Sequence, residues 1–320
     1  MSQDTVGRQS HIVLLVALVI AAAAIASLAS RGAFSRTGHT AARASLSARP
    51  ASYLGVYAAG PPHAYQSVAS FARAAGRQPN LVGYYSGWAE PFAKSFAERV
   101  HGRGAVTIVQ IDPAYAVIER IATGGYDAYL RAYADSVRAF AHPVIIGFGH
   151  EMNAPWYSWG YRHVPARVFV AAWRHIVTVF RSPGAGNVIW LWTINADTPG
   201  TGPTVTWWPG PAYVTWVGID AYYVRPSDTF GSVFGQTIRQ VRTFTGKPVL
   251  LSETAVGPAA GVIKIGNLFA GMRRNRTLGL VWFDIGQHQG IYHQDWRIED
   301  NPAAEAAFRR SVSTLTLARP

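Results

Sequence analysis

Two glutamates, each standing where an apolar run stops, are the residues of this chain best placed to do chemistry. Gly149-His150-Glu151-Met152-Asn153 follows the run Pro143-Val144-Ile145-Ile146-Gly147-Phe148, and Trp156-Tyr157-Ser158-Trp159-Gly160 comes directly after it. A carboxylic acid set among flat apolar rings sits in a dry environment, and this raises its pKa enough for it to donate a proton. The rings themselves can stack on the apolar faces of pyranoses. Lys247-Pro248-Val249-Leu250-Leu251-Ser252-Glu253-Thr254 repeats the design without the tryptophans. Two carboxyl groups flanking one acetal are what glycosidic cleavage needs, one as acid and one as nucleophile or base.

Both glutamates must be carried by strands that end at the same place. Runs that are apolar without alternation and rich in β-branched residues suit strands buried on both faces. Glu253 lies 102 residues after Glu151, about three repeats of a strand–helix unit. That spacing suits strands 4 and 7 of a (β/α)₈ barrel, whose functional residues sit at the C-terminal strand ends. The remaining chain supports this α/β reading. Strands are expected at 53–57, 81–85, 105–111, 143–148, 188–193, 216–221, 249–252 and 278–283, and helices at 65–75, 91–100, 127–141, 165–180, 228–243, 262–274 and 301–312. Eight strands alternating with helices argue for a closed parallel sheet.

The motifs then resemble one family. Gly-His-Glu-Met-Asn with the 156–160 aromatics looks like the acid/base segment of glycoside hydrolase family 26, the β-mannanase family of a clan of retaining barrel glycosidases. Ala172-Trp173-Arg174-His175-Ile176, Gly186-Asn187-Val188-Ile189-Trp190, Pro209-Gly210 with Tyr213–Tyr222, the Glu253 strand and Val281-Trp282-Phe283-Asp284 extend the resemblance over about Tyr53 to Phe308. It implies that Glu151 is the acid/base and Glu253 the nucleophile of a retaining endo-β-glycanase acting first on β-1,4-mannan. A β-1,3-1,4-glucanase or a xylanase is the near competitor, and a catalytically weak carbohydrate-binding barrel the distant one. The resemblance gives His150 to sugar hydroxyls and carboxylate tuning, and gives Tyr222 to the nucleophile. Trp156, Trp159 and Trp282 are candidate sugar platforms, with packing beneath the loop an equal reading for Trp159. Asn153 either contacts substrate or holds the loop. A non-proline cis peptide is implied at Trp282-Phe283. Two departures stand out: Gly147 occupies a position where the family commonly carries arginine, and Ala154 replaces a glycine.

Composition sets the outer limits. The 320 residues are 49% hydrophobic and 14% charged, with 11 Trp and 15 Tyr, enough for a large core and an aromatic cleft. The formal charge of +12 comes without a Lys/Arg-dense run or nucleic-acid motif, so no nucleic-acid partner is expected. With no cysteine, disulfides and thiolate metal sites are excluded. His288, His293 and Asp295 fit no ligand spacing, so neither metal nor cofactor is expected. The uncharged run Ile12–Ala29 is long enough, as a helix, to approach the hydrocarbon thickness of a bilayer. Residues 1–30 are therefore expected to be a signal peptide or membrane anchor, 31–50 a flexible linker, and 51–320 the catalytic barrel. Arg31, Arg36 and Arg43 after the run oppose export by the positive-inside rule, yet a polymer substrate demands a secreted or membrane-anchored, extracytoplasmic enzyme. It is taken to act as a monomer on a β-linked polysaccharide.

Overall fold

The computed structural model describes residues 45–182, 184–286 and 294–319. The expected leader and most of the expected linker lie outside these residues, as do His288 and His293.

Eight strands form a closed barrel in which every neighbouring pair is parallel and sequential: β1 (Tyr53–Ala58), β2 (Leu81–Gly87), β3 (Val106–Asp112), β4 (Val144–Phe148), β5 (Val188–Asn195), β6 (Trp216–Asp220), β7 (Val249–Thr254) and β8 (Gly279–Asp284). β1 closes on β8 through Tyr53↔Gly279 to Ala58↔Asp284. Around them run α1 (Gln66–Ala75), α2 (Lys94–His101), α3 (Ile118–Ala122), α4 (Asp127–Phe140), α5 (Ala166–Arg181), α6 (Gln236–Phe244), α7 (Ile263–Arg274) and α8 (Pro302–Val312). The expected eight-stranded barrel is what the chain forms. The five-residue α3 is too short to leave a readable period, and the expected helix 228–243 opens instead with a π-type turn at Gly231–Gly235.

Each helix follows from its pattern. On α5, Phe169, Ala172, Trp173, Ile176, Val177 and Phe180 recur at three- and four-residue steps and are buried. On α8, Asn301 accepts from the Ala303 and Ala304 N–H groups and Pro302 follows it at the first helical position.

Strand parity divides the core into two layers. Val56, Val82, Val109, Ile146, Trp192, Leu251 and Trp282 face outward against the helices. Tyr53, Leu81, Val106, Ile108, Ile145, Leu191, Trp216, Leu250 and Val281 fill the barrel. Leu46 joins that inner cluster, and the Tyr53 hydroxyl donates to the Ser47 carbonyl at 2.9 Å. Packing therefore begins inside the stretch expected to be linker. Two registers slip along β7: Gly218↔Leu250 becomes Asp220↔Glu253, and Leu251↔Leu280 becomes Thr254↔Trp282. One extra residue is thus inserted into β7 just before Glu253, a bulge of the kind that re-aims a side chain. The cis peptide among the described residues is Pro61-Pro62, so the Trp282-Phe283 link is trans, contrary to expectation.

Candidate active site

The mouth at the C-terminal strand ends gathers polar side chains from six strands. Glu151 follows β4 in a tight turn where its own φ is 54°, in the left-handed region. Its N–H donates to the Thr193 carbonyl at 3.0 Å and its carbonyl accepts from Ala154 N–H at 2.9 Å, so the turn is pinned on both sides. The carboxylate accepts from the Trp156 indole N–H (Oε2, 2.6 Å) and from the Asn195 amide (Oε1, 2.9 Å).

Glu253 is buried at the end of β7. Its Oε2 accepts from the Tyr222 hydroxyl at 2.6 Å, and its Oε1 accepts from the Tyr85 hydroxyl. Burial pushes its pKa up. The His150 charge opposes that, the Glu151 charge reinforces it, the two phenols oppose it, and the result is about 7. The bulge in β7 matters here. Ser252 donates to Asp220 Oδ1 at 2.5 Å inside the barrel, while the adjacent Glu253 also addresses the interior. Asp220 is fully buried, and burial together with the charges of Glu253 and Glu151 holds its pKa well above the carboxylate range.

His150, itself buried, places Nδ1 2.8 Å from Asp112 Oδ1 and Nε2 3.1 Å from the Tyr157 hydroxyl. Burial alone would lower its pKa. The charge and hydrogen bond of Asp112, with the charges of Glu253 and Glu151, outweigh that and bring it to about 9. In its protonated form the ring donates from Nδ1–H to Asp112 and from Nε2–H to Tyr157.

Of the eight residues singled out from the sequence, five line this mouth: Glu151, Glu253, His150, Tyr222 and Trp156, the last half exposed. Trp282 is corrected, and for Trp159 and Asn153 the structure shows the packing and loop-holding alternatives rather than substrate contact. Trp159 is buried, stacks on Tyr157 (centroids 4.4 Å, 7°) and donates its N–H to the His150 carbonyl at 2.9 Å; it supports the loop from beneath. Trp282 lies on the outward side of β8, packed edge-on against Phe308 of α8 with its N–H on the Trp296 carbonyl. At 1% exposure it cannot meet a sugar, and its neighbour Phe283, 5.7 Å from the Tyr222 ring, is the aromatic that faces the site. Asn153 is fully buried; its Nδ2 donates to the Asn195 carbonyl at 2.8 Å and its Oδ1 accepts from Asn195 N–H at 2.9 Å. It holds Asn195, which in turn holds Glu151.

Sequence reading missed Tyr85, Asp112, Asn195 and Tyr157. The first three share the signal that revealed the glutamates: a polar side chain at or near the end of a strand. The Gly147 departure also has a cause. A Cβ there would collide with the amide oxygen of Gln110, whose Nε2 donates to Thr193 Oγ1 at 2.9 Å. The space above Gly147 is already filled by a neutral amide. Asp295 and Asp300 form ion pairs with Arg297 at 2.5 Å each.

A closed parallel barrel with two differently dressed glutamates at its C-terminal mouth is the architecture of a barrel glycosidase. The chain belongs to glycosyl hydrolase family 26, whose model matches residues 97–316. Endoglucanase H of Acetivibrio thermocellus is 29% identical over 265 residues, 77% of this chain and 29% of that protein. The β-1,3-xylanase TXYA of a Vibrio species is 25% identical over 140 residues, 43% of this chain and 29% of that one. The chain thus spans less than a third of the length of these curated relatives. Among solved structures, the Bacillus subtilis mannanase superposes with a TM-score of 0.64 at 17% identity, covering 82% of this chain and 86% of that one; this likeness is one of fold.

Proposed function

We propose that the barrel hydrolyses internal bonds of a β-linked glycan with retention of configuration, Glu151 serving as acid/base and Glu253 as nucleophile. The observation that carries this reading is the pair of differently dressed carboxyls at one barrel mouth. Both oxygens of Glu253 are held by phenolic O–H groups, donors that favour a carboxylate anion aimed at an electrophilic carbon. Glu151 is held by the N–H of the Trp156 ring, which also faces solvent, and by the Asn195 amide, beside the place a sugar stacked on Trp156 would occupy. Glu151 gives its proton to the departing oxygen as Glu253 bonds to the anomeric carbon. It then takes a proton from the water that displaces Glu253.

The substrate that fits best is a β-glucan, because the relative sharing 29% identity over most of this chain is an endoglucanase. β-1,4-Mannan, the first expectation from the sequence, is the second reading; its support is a family with mannanase members of the same fold. Product analysis on mixed-linkage glucan, mannan and xylan separates these. Proton NMR of the first products tests retention: reducing ends that appear first in the α configuration would exclude it. Glu253→Gln and Glu151→Gln should each abolish release of reducing sugar from the preferred polymer. A polymer substrate also places the barrel outside the cytoplasmic membrane, with Ile12–Ala29 as the export or anchoring segment. Activity confined to the cytosol after cell fractionation would refute that placement.

A further inference from the structure

Glu253 is gripped from two sides of the barrel. Tyr222, which follows β6, holds Oε2 at 2.6 Å; Tyr85, in β2, holds Oε1. Tyr85 is not on a loop. It is paired with Gln110 in the sheet, its ring stacks on Tyr57 (centroids 4.9 Å, 23°), and its other flank lies 5.4 Å from the His150 ring. The Tyr57 ring in turn occupies the room left by Gly83, where a Cβ would overlap it. Sheet, ring stack and glycine together fix one hydroxyl on one carboxylate oxygen. A group that rigid needs no reorganisation when charge moves on and off its partner.

We propose that Tyr85 is a second catalytic phenol, which with Tyr222 secures one oxygen each of the nucleophile and assists its departure from the covalent intermediate. This rests on the retaining reading given above. In the first step a Glu253 oxygen bonds to the anomeric carbon, the bond to the leaving oxygen breaks, and the Glu151 proton passes to that oxygen. In the second, Glu151 takes a proton from water, the water oxygen bonds to the anomeric carbon, and the ester bond breaks with its electron pair returning to Glu253. The oxygen that does not attack remains a carbonyl throughout the intermediate. Because each oxygen has its own phenol, a donor is already in place where negative charge reappears.

The decisive test needs no substrate. Titration of the Glu253 carboxyl, followed by difference infrared spectroscopy against Glu253→Gln, should move upward by about one to two pH units in Tyr85→Phe, the equivalent of one lost charge-assisted hydrogen bond. The titratable groups facing that carboxyl are Tyr57 from β1, His150, Glu151 and Tyr157 after β4, Asp220 at the end of β6 and Tyr222 just after it, and all are left intact. Incorporation of 3-fluorotyrosine at position 85 keeps the ring and strengthens the donor, so the same carboxyl should then titrate lower. A midpoint unchanged by both replacements overturns the proposal, whatever the polymer turns out to be. With an aryl β-glycoside of good leaving group, breakdown of the intermediate limits turnover. There Tyr85→Phe should lower kcat roughly 10- to 100-fold and lower KM with it. Equal kcat and KM in wild type and Tyr85→Phe would remove the assistance to departure.

Discussion

The indole N–H of Trp156 donates to Glu151 Oε2 at 2.6 Å while half of the same side chain stays open to solvent. One residue therefore presents an open ring at the mouth and a hydrogen bond to the carboxyl.

Trp156→Phe separates those two roles, because it keeps a ring and deletes the N–H. It is expected to lower kcat/KM about tenfold, the worth of one hydrogen bond to a charged group, with KM nearly constant. Trp156→Ala should raise KM as well. Steady-state kinetics on the preferred soluble polymer checks both, and a Trp156→Phe enzyme as fast as wild type would show the bond to be idle.

The activity should have an acid limb set by Glu253. Its pKa is raised to about 7, so as pH falls through that value the carboxyl gains a proton and ceases to be a nucleophile. His150 carries the positive charge that restrains this rise. His150→Gln is accordingly expected to shift the acid limb of kcat/KM to higher pH. A limb that stays in place would disconnect the two groups.

Folding stability should fall as the solution becomes more alkaline. Glu253 (about 7), Asp284 (about 8, through burial first and the Glu299 charge second) and His150 (about 9) all hold protons more tightly in the folded chain than in the unfolded one. Groups with raised folded pKa values contribute fully below their unfolded values, about 4 for the carboxyls and 6.5 for histidine, and lose that contribution as pH rises through the folded values. The urea midpoint at pH 5 is thus expected to exceed that at pH 9. Asp284→Asn should flatten the dependence between about pH 4 and 8. Asp127, lowered by its bonds to His175 and Arg131, acts in the opposite sense and only in acid.

Asn153→Ala breaks two buried hydrogen bonds to Asn195. A loss of about 2–3 kcal/mol is expected, together with lower kcat, since Asn195 is left free to turn away from Glu151. Trp282→Phe, by contrast, should lower the melting temperature and leave KM unchanged, because its ring is packed on α8 and away from the mouth. Denaturation curves alongside kinetics distinguish these patterns.

The alternation of apolar runs and amphipathic helices made the barrel legible, because each run is buried on both faces and each helix on one. The strand ends were legible only in part. Glu151 and Glu253 could be found because a carboxylate after Ile145-Ile146-Gly147-Phe148 or Val249-Leu250-Leu251 has no structural partner in view. Asp112, Asn195 and Tyr85 ended or neared the ends of similar strands, yet their chemistry is the ordinary chemistry of turns and rims, so nothing marked them. Trp282 was misplaced for another reason. Its neighbours along the strand do not say which parity faces inward, and only the pairing of Val56 with Trp282 and of Tyr57 with Phe283 decides it. The bulge in β7 has no local sequence signature at all. It exists because Ser252 and Glu253 both find partners inside the barrel, a long-range condition.

At φ 54°, Glu151 adopts a backbone shape that costs an ordinary L-residue about 1–2 kcal/mol and costs glycine nearly nothing. Selection for a well-behaved fold alone would therefore erode this position toward glycine or asparagine. An acid at such a turn makes position 151 a gauge of use: relatives of this chain that lack hydrolytic activity should show their first drift at this turn.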